Sequence, residues 1–214
     1  MKCAIIANGD IRDYLFIKKS LLEYDFLICA DGGVRHFYHM GLLPDIVVGD
    51  LDSVNEEHLQ YIKAYNIPIQ KFSPDKDYTD TELAIRYALD LNATDIAIFG
   101  AIGTRMDHTL SNIFLLVPLL KRGIQGKLID EYNEISITHN NIEVEKKIGN
   151  NITILPLVSQ VKGITLEGFQ YPLEEYDMKM GESIGISNRV LSDYGKIIVQ
   201  EGILLVIISK DASE

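Results

Sequence analysis

Short apolar runs separated by helical patterns fill the first part of the chain. Residues 3–7 and 26–30 read as short buried strands, and 46–48, 67–72 and 95–99 continue in the same style. Between the first two, Ile11, Tyr14, Leu15, Lys18 and Leu22 show helical spacing. Ser53-Val54-Asn55-Glu56 has the form of a capping box and predicts Ser53 as an N-cap. Thr79-Asp80-Thr81-Glu82 repeats that form ahead of an apolar-periodic stretch at 83–91. A further helix is predicted from about Met106 to Arg122, stopped by Gly123 and kinked or shortened at Pro118. Strand–helix alternation of this kind implies a parallel sheet with helices on its faces.

The rhythm changes after 127–130. Strand-like runs then occur at 134–138, 142–145, 152–155, 164–166, 184–186, 196–199 and 203–208. Turn signals separate them, among them Asn140-Asn141, Gly149-Asn150, Gly168, Gly181 and Gly195. Closely spaced strands without helices suggest a β-sandwich or partial barrel. The expected organisation is an α/β parallel-sheet, Rossmann-like domain over residues 1–130 and an all-β sandwich domain over 131–214, with a frayed tail at 211–214.

Composition narrows the setting. With 214 residues and 47% of them hydrophobic, the chain can bury a proper core. It has no apolar run of about 18 residues, so no membrane span is expected. The start turns polar by Asn8, too soon for a secretory signal, and a cytoplasmic protein is expected. Cys3 and Cys29 both sit in strand-like runs and read as buried thiols. A formal net charge of −11 argues against nucleic-acid backbones as partners and is compatible with a cationic substrate.

The chemistry lies in the loops after the strands. Asp31-Gly32-Gly33 comes after the second strand, Gly49-Asp50-Leu51-Asp52-Ser53 after the third, 73–80 after the fourth and 100–108 after the fifth. Open α/β sheets bind ligands in the crevice beyond the carboxyl ends of their strands, so four successive loops bring carboxylates to that crevice. A divalent cation would relieve their repulsion, and Mg²⁺ binds through one or two carboxylates plus substrate phosphates. Asp50 and Asp52, two apart in an extended segment, would share one face. Asp80 stands at a helix start where Thr79 or free N–H groups suit phosphate. The Gly100–Gly103 loop offers N–H groups, and Lys76 and Arg105 are the cations for phosphate oxygens.

Taken singly, each feature has an ordinary alternative. Asp31 before two glycines is a common turn, Asp80 a helix-start charge, and Arg105 with Asp107 a surface pair. His108 reads as a helix-start or core histidine, since no second His or Cys has metal spacing. Gly100-x-x-Gly103 lacks the dinucleotide fingerprint, and no phosphate-loop Gly-Lys-Ser/Thr is present. The recurrence at four strand ends is left unexplained by the ordinary readings. Two rival functions stay open at this level: another Mg-dependent nucleotide-using transferase or hydrolase, such as a nucleotide-sugar glycosyltransferase, and a non-enzymatic module that binds a small molecule or a divalent ion.

Ala30-Asp31-Gly32-Gly33, Gly49-Asp50-Leu51-Asp52-Ser53, Lys76-Asp77-Tyr78-Thr79-Asp80-Thr81-Glu82 and Gly103-Thr104-Arg105-Met106-Asp107-His108 resemble, in order, the motifs of bacterial thiamine pyrophosphokinases. Thr165–Leu173 and Gly181–Asn188 are similar to that family's thiamine-binding segment. The resemblance implies transfer of a pyrophosphoryl group from ATP to the thiamine hydroxyl, giving thiamine diphosphate and AMP. It further implies a homodimer with active sites between subunits. Asp50, Asp52 and Asp80 are then the expected Mg²⁺ ligands. Asp31, Gly32, Lys76, Thr79, Gly100, Gly103, Arg105 and His108 are expected at ATP. Asp52, Asp80, Arg105 and Asp107 are the expected catalytic residues, with Asp52 the candidate base. Ser187 and Asn188 are expected at thiamine. One departure stands out: the family often has a second glycine before the arginine, and this chain has Thr104.

Overall fold

Six short parallel strands form the sheet of the first unit: β1 (Lys2–Ile6), β2 (Phe26–Ala30), β3 (Ile46–Val48), β4 (Ile69–Gln70), β5 (Asp95–Phe99) and β6 (Gln125–Ile129). The computed structural model describes residues 1–72 and 78–211, divided into two units, Met1–Glu131 and Tyr132–Glu214. Lys76, Asp75 and Asp77 lie outside the described residues, as do 212–214.

Strand order in this sheet is β4-β3-β2-β1-β5-β6. The chain steps outward from β1 to β4, then returns to the other side of β1. Right-handed crossovers therefore place the first helices on one face and the later ones on the opposite face. Accordingly, α1 (Tyr14–Ser20), α2 (Val34–Met40) and α3 (Glu56–Ala64) cover one face. There Ile17, Phe37, Met40 and Ile62 pack on Ala4, Ile6, Cys29 and Val47. The helix α4 (Asp80–Asp90) crosses back over β3, β2 and β1. The order differs from the Rossmann order 3-2-1-4-5-6 by one strand, and shares with it the reversal point, here between β1 and β5.

Several local expectations need correction. Ser53 does not cap α3: Asn55 does, its side chain accepting from the His58 N–H. The sequence reading also missed α2, whose seven residues end at Gly41 in the left-handed region. The predicted helix at 106–122 is two helices, α5 (Met106–Phe114) and α6 (Leu116–Lys121). Pro118 supplies the cause, because it has no N–H for the Phe114 carbonyl and its ring crowds that group. Gly123 does terminate α6, at φ +72°.

In the second unit β7 (Asn133–Thr138), β13 (Leu204–Ser209) and β9 (Asn151–Pro156) pair antiparallel, with β13 in the middle. The other sheet runs β11-β10-β12-β8, from β11 (Leu173–Lys179), β10 (Gln160–Glu167), β12 (Tyr194–Ile198) and β8 (Ile142–Glu145). One apolar core joins both sheets, with Ile152, Ile154 and Val206 from the first and Val161, Met178 and Ile197 from the second. The edge strand β11 escaped the sequence reading because charged residues fill its exposed positions, as suits an edge. Residues 184–186 form a turn, not a strand, with Ile184 and Ile186 half exposed.

Two glycines test this packing. A Cβ on Gly33 would stand 2.3 Å from the Ile6 carbonyl oxygen, whereas one on Gly41 meets nothing within 4 Å. In urea unfolding Gly33→Ala should cost upwards of about 2 kcal/mol through forced backbone movement. Gly41→Ala should cost only the left-handed strain, roughly 1 kcal/mol.

Candidate active site

A cavity of about 440 Å³ opens where the strand order reverses. Its floor is two loops tied together: Ala7 N–H donates to Phe99 O (2.8 Å) and Gly9 N–H to Gly100 O (2.7 Å). A Cβ on Gly100 would lie 2.6 Å from Ala7 O, so these loops meet only through glycine. Asp31, Asp52, Thr79 and Asp80 line the acidic part of the wall. Gly100, Gly103, Arg105 and His108 line the remainder together with the Asn8–Asp10 loop.

Asp31 organises the acidic part. It is buried, 4% exposed, and sits at φ +41° in a 3₁₀ turn after β2. Its Oδ1 accepts from the Leu51 N–H (2.9 Å) and its Oδ2 from the Ser53 hydroxyl. Both oxygens are thus engaged with the loop after β3. Gly49 permits this approach, since a Cβ there would meet the Asp31 Cβ at 2.8 Å. Leu51 is held at φ +68°, so the segment is not extended as the sequence suggested. Asp50 and Asp52 converge through a turn instead, with Asp52 N–H donating to Asp50 Oδ1 (3.1 Å). Carboxylate oxygens of Asp31, Asp50 and Asp52 all lie within 4.8 Å of one another.

This crowding sets the electrostatics. Asp50 beside it pushes the Asp52 carboxyl above the usual range. Asp80, half-buried at the first position of α4, rises from an ordinary 3.8 to about 6, mainly through burial and then through Asp31 and Asp50. The Thr79 hydroxyl is occupied as the helix cap, accepting from the Glu82 N–H (3.2 Å). Gly32 serves packing: a Cβ there would strike the Asn8 amide at 2.3 Å.

Across the cavity, the 100–105 loop is fastened from beneath by α5. Asn112, buried, donates to Ala101 O (2.8 Å), and the Thr109 hydroxyl accepts from Gly103 N–H (3.2 Å). Asp107 does not line the cavity. It binds the Arg105 guanidinium through both oxygens (3.2 and 2.6 Å) and so orients it, and the arginine holds its carboxyl below the usual range. His108 is exposed beside Asp107, at 4.0 Å. Thr104 lies outside the left-handed region, so its Cβ costs the loop nothing. The sequence reading missed Asn8, Gly9, Asp10, Thr109 and Asn112. The signal was present, because the first strand also ends on a glycine-bearing loop.

In the second unit, Ser187 occupies the left-handed region at φ +57°, its N–H donating to Thr153 Oγ1 (3.1 Å). Asn188 is buried, 4% exposed. Its Oδ1 accepts from the N–H groups of Tyr171 (3.0 Å) and Arg189 (2.9 Å), and its Nδ2 donates to Tyr171 O (2.7 Å). Its side chain therefore shapes the 169–171 and 187–190 segments, and its second amide hydrogen has no partner among the described residues.

Comparison with known proteins bears on both units. Residues 17–128 match the family model "Thiamin pyrophosphokinase, catalytic domain", and 139–204 match "Thiamin pyrophosphokinase, vitamin B1 binding domain". A thiamine pyrophosphokinase of Bacillus subtilis is 32% identical over 191 residues, 88% of this chain and 89% of that protein. The chain belongs to the thiamin pyrophosphokinase family. A rice relative, thiamine pyrophosphokinase 3, is 30% identical over 86% of this chain and 75% of its own. The crystal structure of the Bacillus subtilis thiamine pyrophosphokinase superposes with a TM-score of 0.89 at 30% identity, covering 99% of this chain and 100% of that one. The Geobacillus thermodenitrificans thiamin pyrophosphokinase gives 0.87 at 27% identity, over 100% and 99%. The resemblance read from the motifs is thereby established as membership.

Asp80 gives a pH test in metal-free buffer. A folded-state value above the unfolded one means that protonation favours the fold. That contribution is complete below the ordinary value of 3.8 and is lost as pH climbs through about 6. Asp80→Asn should therefore gain thermal stability over the parent between about pH 4 and 7 in EDTA, read by calorimetry. A difference flat across that range would refute the raised value of Asp80.

Proposed function

We propose that the protein transfers the pyrophosphoryl group of ATP to the hydroxyl of thiamine, giving thiamine diphosphate and AMP, with Mg²⁺ at the acidic loop. The observation that carries this reading is the meeting of Asp31, Asp50 and Asp52, with Asp80 near enough to feel their charge, beside a cavity whose other wall supplies N–H groups and Arg105. Membership of a diphosphotransferase family agrees with it.

The donor set fits Mg²⁺. Oxygen donors from few carboxylates are what this ion takes. Asp31 is engaged by Leu51 and Ser53, so Asp50 and Asp52 would hold the ion, and Asp80, on the cavity wall outside that group, would complete the set expected from the motifs. When bound, the ion offsets the charge of these carboxylates and of the phosphate oxygens. The chain's own groups do the remaining work. Arg105, oriented by Asp107, neutralises phosphate charge, and the N–H groups at the start of α5 favour an anion. Asp52, raised by Asp50, is the candidate to take the hydroxyl proton from thiamine. His108 stands at the cavity edge for the nucleotide. The second unit matches a vitamin B1 binding model, which supports thiamine contact through Ser187 and the segments shaped by Asn188.

A homodimer belongs to the same proposal. Met106, Leu110 and Phe114 recur every four residues on α5, each about half exposed or more, and support a covered face. Sedimentation should give twice the chain mass, and a single-chain mass at all concentrations would refute it. Cytoplasmic location is likewise proposed: both cysteines are free and buried, and among the described residues no helix is long and apolar enough to cross a membrane.

Purified protein with ATP, Mg²⁺ and thiamine should form AMP in step with thiamine diphosphate. ADP or free phosphate in place of AMP would favour another nucleotide-using transferase or a hydrolase. Ligand binding without turnover would favour a binding module. Asp50→Asn should cut turnover on the order of a thousandfold, as EDTA should for the parent protein.

A further inference from the structure

On α2, behind the cavity, lies a buried histidine that the proposed chemistry does not use. His36 is 1% exposed and makes two hydrogen bonds, Nε2 with Gly9 O (2.8 Å) and Nδ1 with the Tyr14 hydroxyl (2.9 Å). A carbonyl oxygen only accepts, so Nε2 carries the hydrogen. In the neutral ring Nδ1 then accepts, and the tyrosine hydroxyl donates. Burial holds the ring neutral, with a value near 4. Tyr14 is itself set in place against the His39 ring, at 4.2 Å between centroids.

The same carbonyl takes a second donor. Arg35 Nη2 reaches Gly9 O (3.0 Å) and Asn8 O (2.8 Å). From the other side the Gly9 N–H is fixed to Gly100 O. The peptide group joining Gly9 to Asp10 is trans, so its N–H points opposite to its carbonyl. With the carbonyl drawn to α2, the Asp10 N–H is turned away from α2. It has no hydrogen-bond partner among the described residues. Asp10 lines the cavity, and its nitrogen lies 3.9 Å from where a Cβ on Gly103 would stand. The Asp10 carboxylate leans toward Arg35 (4.0 Å).

We infer that His36 is a positioning residue for nucleotide binding: locked by Tyr14, it holds the Gly9 carbonyl so that the Asp10 N–H faces the cavity as a donor to a phosphate oxygen. This rests on the reading of the cavity as the ATP site. No bond is made or broken by His36; it fixes the direction of one main-chain donor. The arrangement resembles others in which main-chain N–H groups at a strand–helix junction bind anions.

The test is calorimetric titration of ATP with Mg²⁺ into the whole protein and three variants, paired with AMP formation and its KM values. His36→Leu fills the space and removes the donor. It should weaken ATP binding about tenfold, with kcat and the KM for thiamine within about twofold of the parent. His36→Gln retains a donor toward Gly9 and an acceptor toward Tyr14, and should recover binding to within about twofold. Tyr14→Phe should weaken it about threefold. An unchanged ATP affinity in His36→Leu overturns the inference, as does a His36→Gln variant as weak as the leucine one. Should the leucine variant fail to fold, an unchanged affinity in Tyr14→Phe overturns it. A parent protein that binds ATP yet forms no AMP removes the proposed reaction and leaves the inference standing. One that binds no ATP removes both.

Discussion

Carboxylates gathered within 4.8 Å of one another repel, and the fold itself must hold them together. Asp31 is the group that does so. Buried after β2, it accepts from the Leu51 N–H and the Ser53 hydroxyl, each a bond to a charged acceptor worth roughly 1.5–3 kcal/mol. Holding Leu51 in the left-handed region costs roughly 1–2 kcal/mol. The hydrogen bonds are of the size needed to offset that cost. The turn that aims Asp50 and Asp52 is thus fixed by a third carboxylate that is itself held by two hydrogen-bond donors. Removing the Asp31 side chain would free Leu51 to relax, and the two outer carboxylates would separate.

The reversal of strand order supplies the space. Between β1 and β5 no crossover passes over the strand ends, so the loops there stay open to ligand. Those loops approach one another so closely that side chains are excluded at Gly9 and Gly100. Main-chain groups consequently form the cavity floor. Just before α2, Gly33 lets the helix start lie against Ile6, which in turn brings Arg35 and His36 within reach of the first loop. Backbone packing and site geometry are here the same constraint.

Much of this was legible in the chain. Apolar runs gave five of the six parallel strands, leaving out β6, and the acids and glycines after four of them pointed to the crevice. The features that escaped are those that period alone does not encode. Asn55 rather than Ser53 caps α3, because Ser53 is drawn to Asp31 by a contact 22 residues distant. The same distant carboxylate bends the Asp50–Asp52 segment away from the extended form that spacing suggested. The strand β11 carries edge charges that mask its alternation, while Ile184 and Ile186 sit apolar yet half exposed in a turn. Asp107 was read as a group near the reaction, and its two bonds to Arg105 are a side-chain geometry that sequence does not carry. The motif likeness places Asn188 at the ligand, and the bonds of its buried amide to main-chain groups of Tyr171 and Arg189 are a further part that sequence does not carry.

The polarity of the cavity is what joins these parts. One wall is acceptor-rich, from Asp31, Asp52 and Asp80, with Asp50 gathered beside the first two. The facing wall is donor-rich, from the Asp10 N–H, the start of α5 and the Arg105 guanidinium. A polyphosphate alone would be repelled by the first wall, and a cation alone would find no anion to meet the second. A phosphate chain carrying its cation satisfies both walls at once, because its positive part faces the acids and its oxygens face the donors. The ordering of the walls also explains why Asp80 is strained when the acids stand alone: half-buried and near like charges, it is a carboxylate placed for a partner that the acids themselves do not provide. On the proposed reading, stability given up at Asp80 in the free protein would be recovered on binding a cation, which would bias the site toward its ligand.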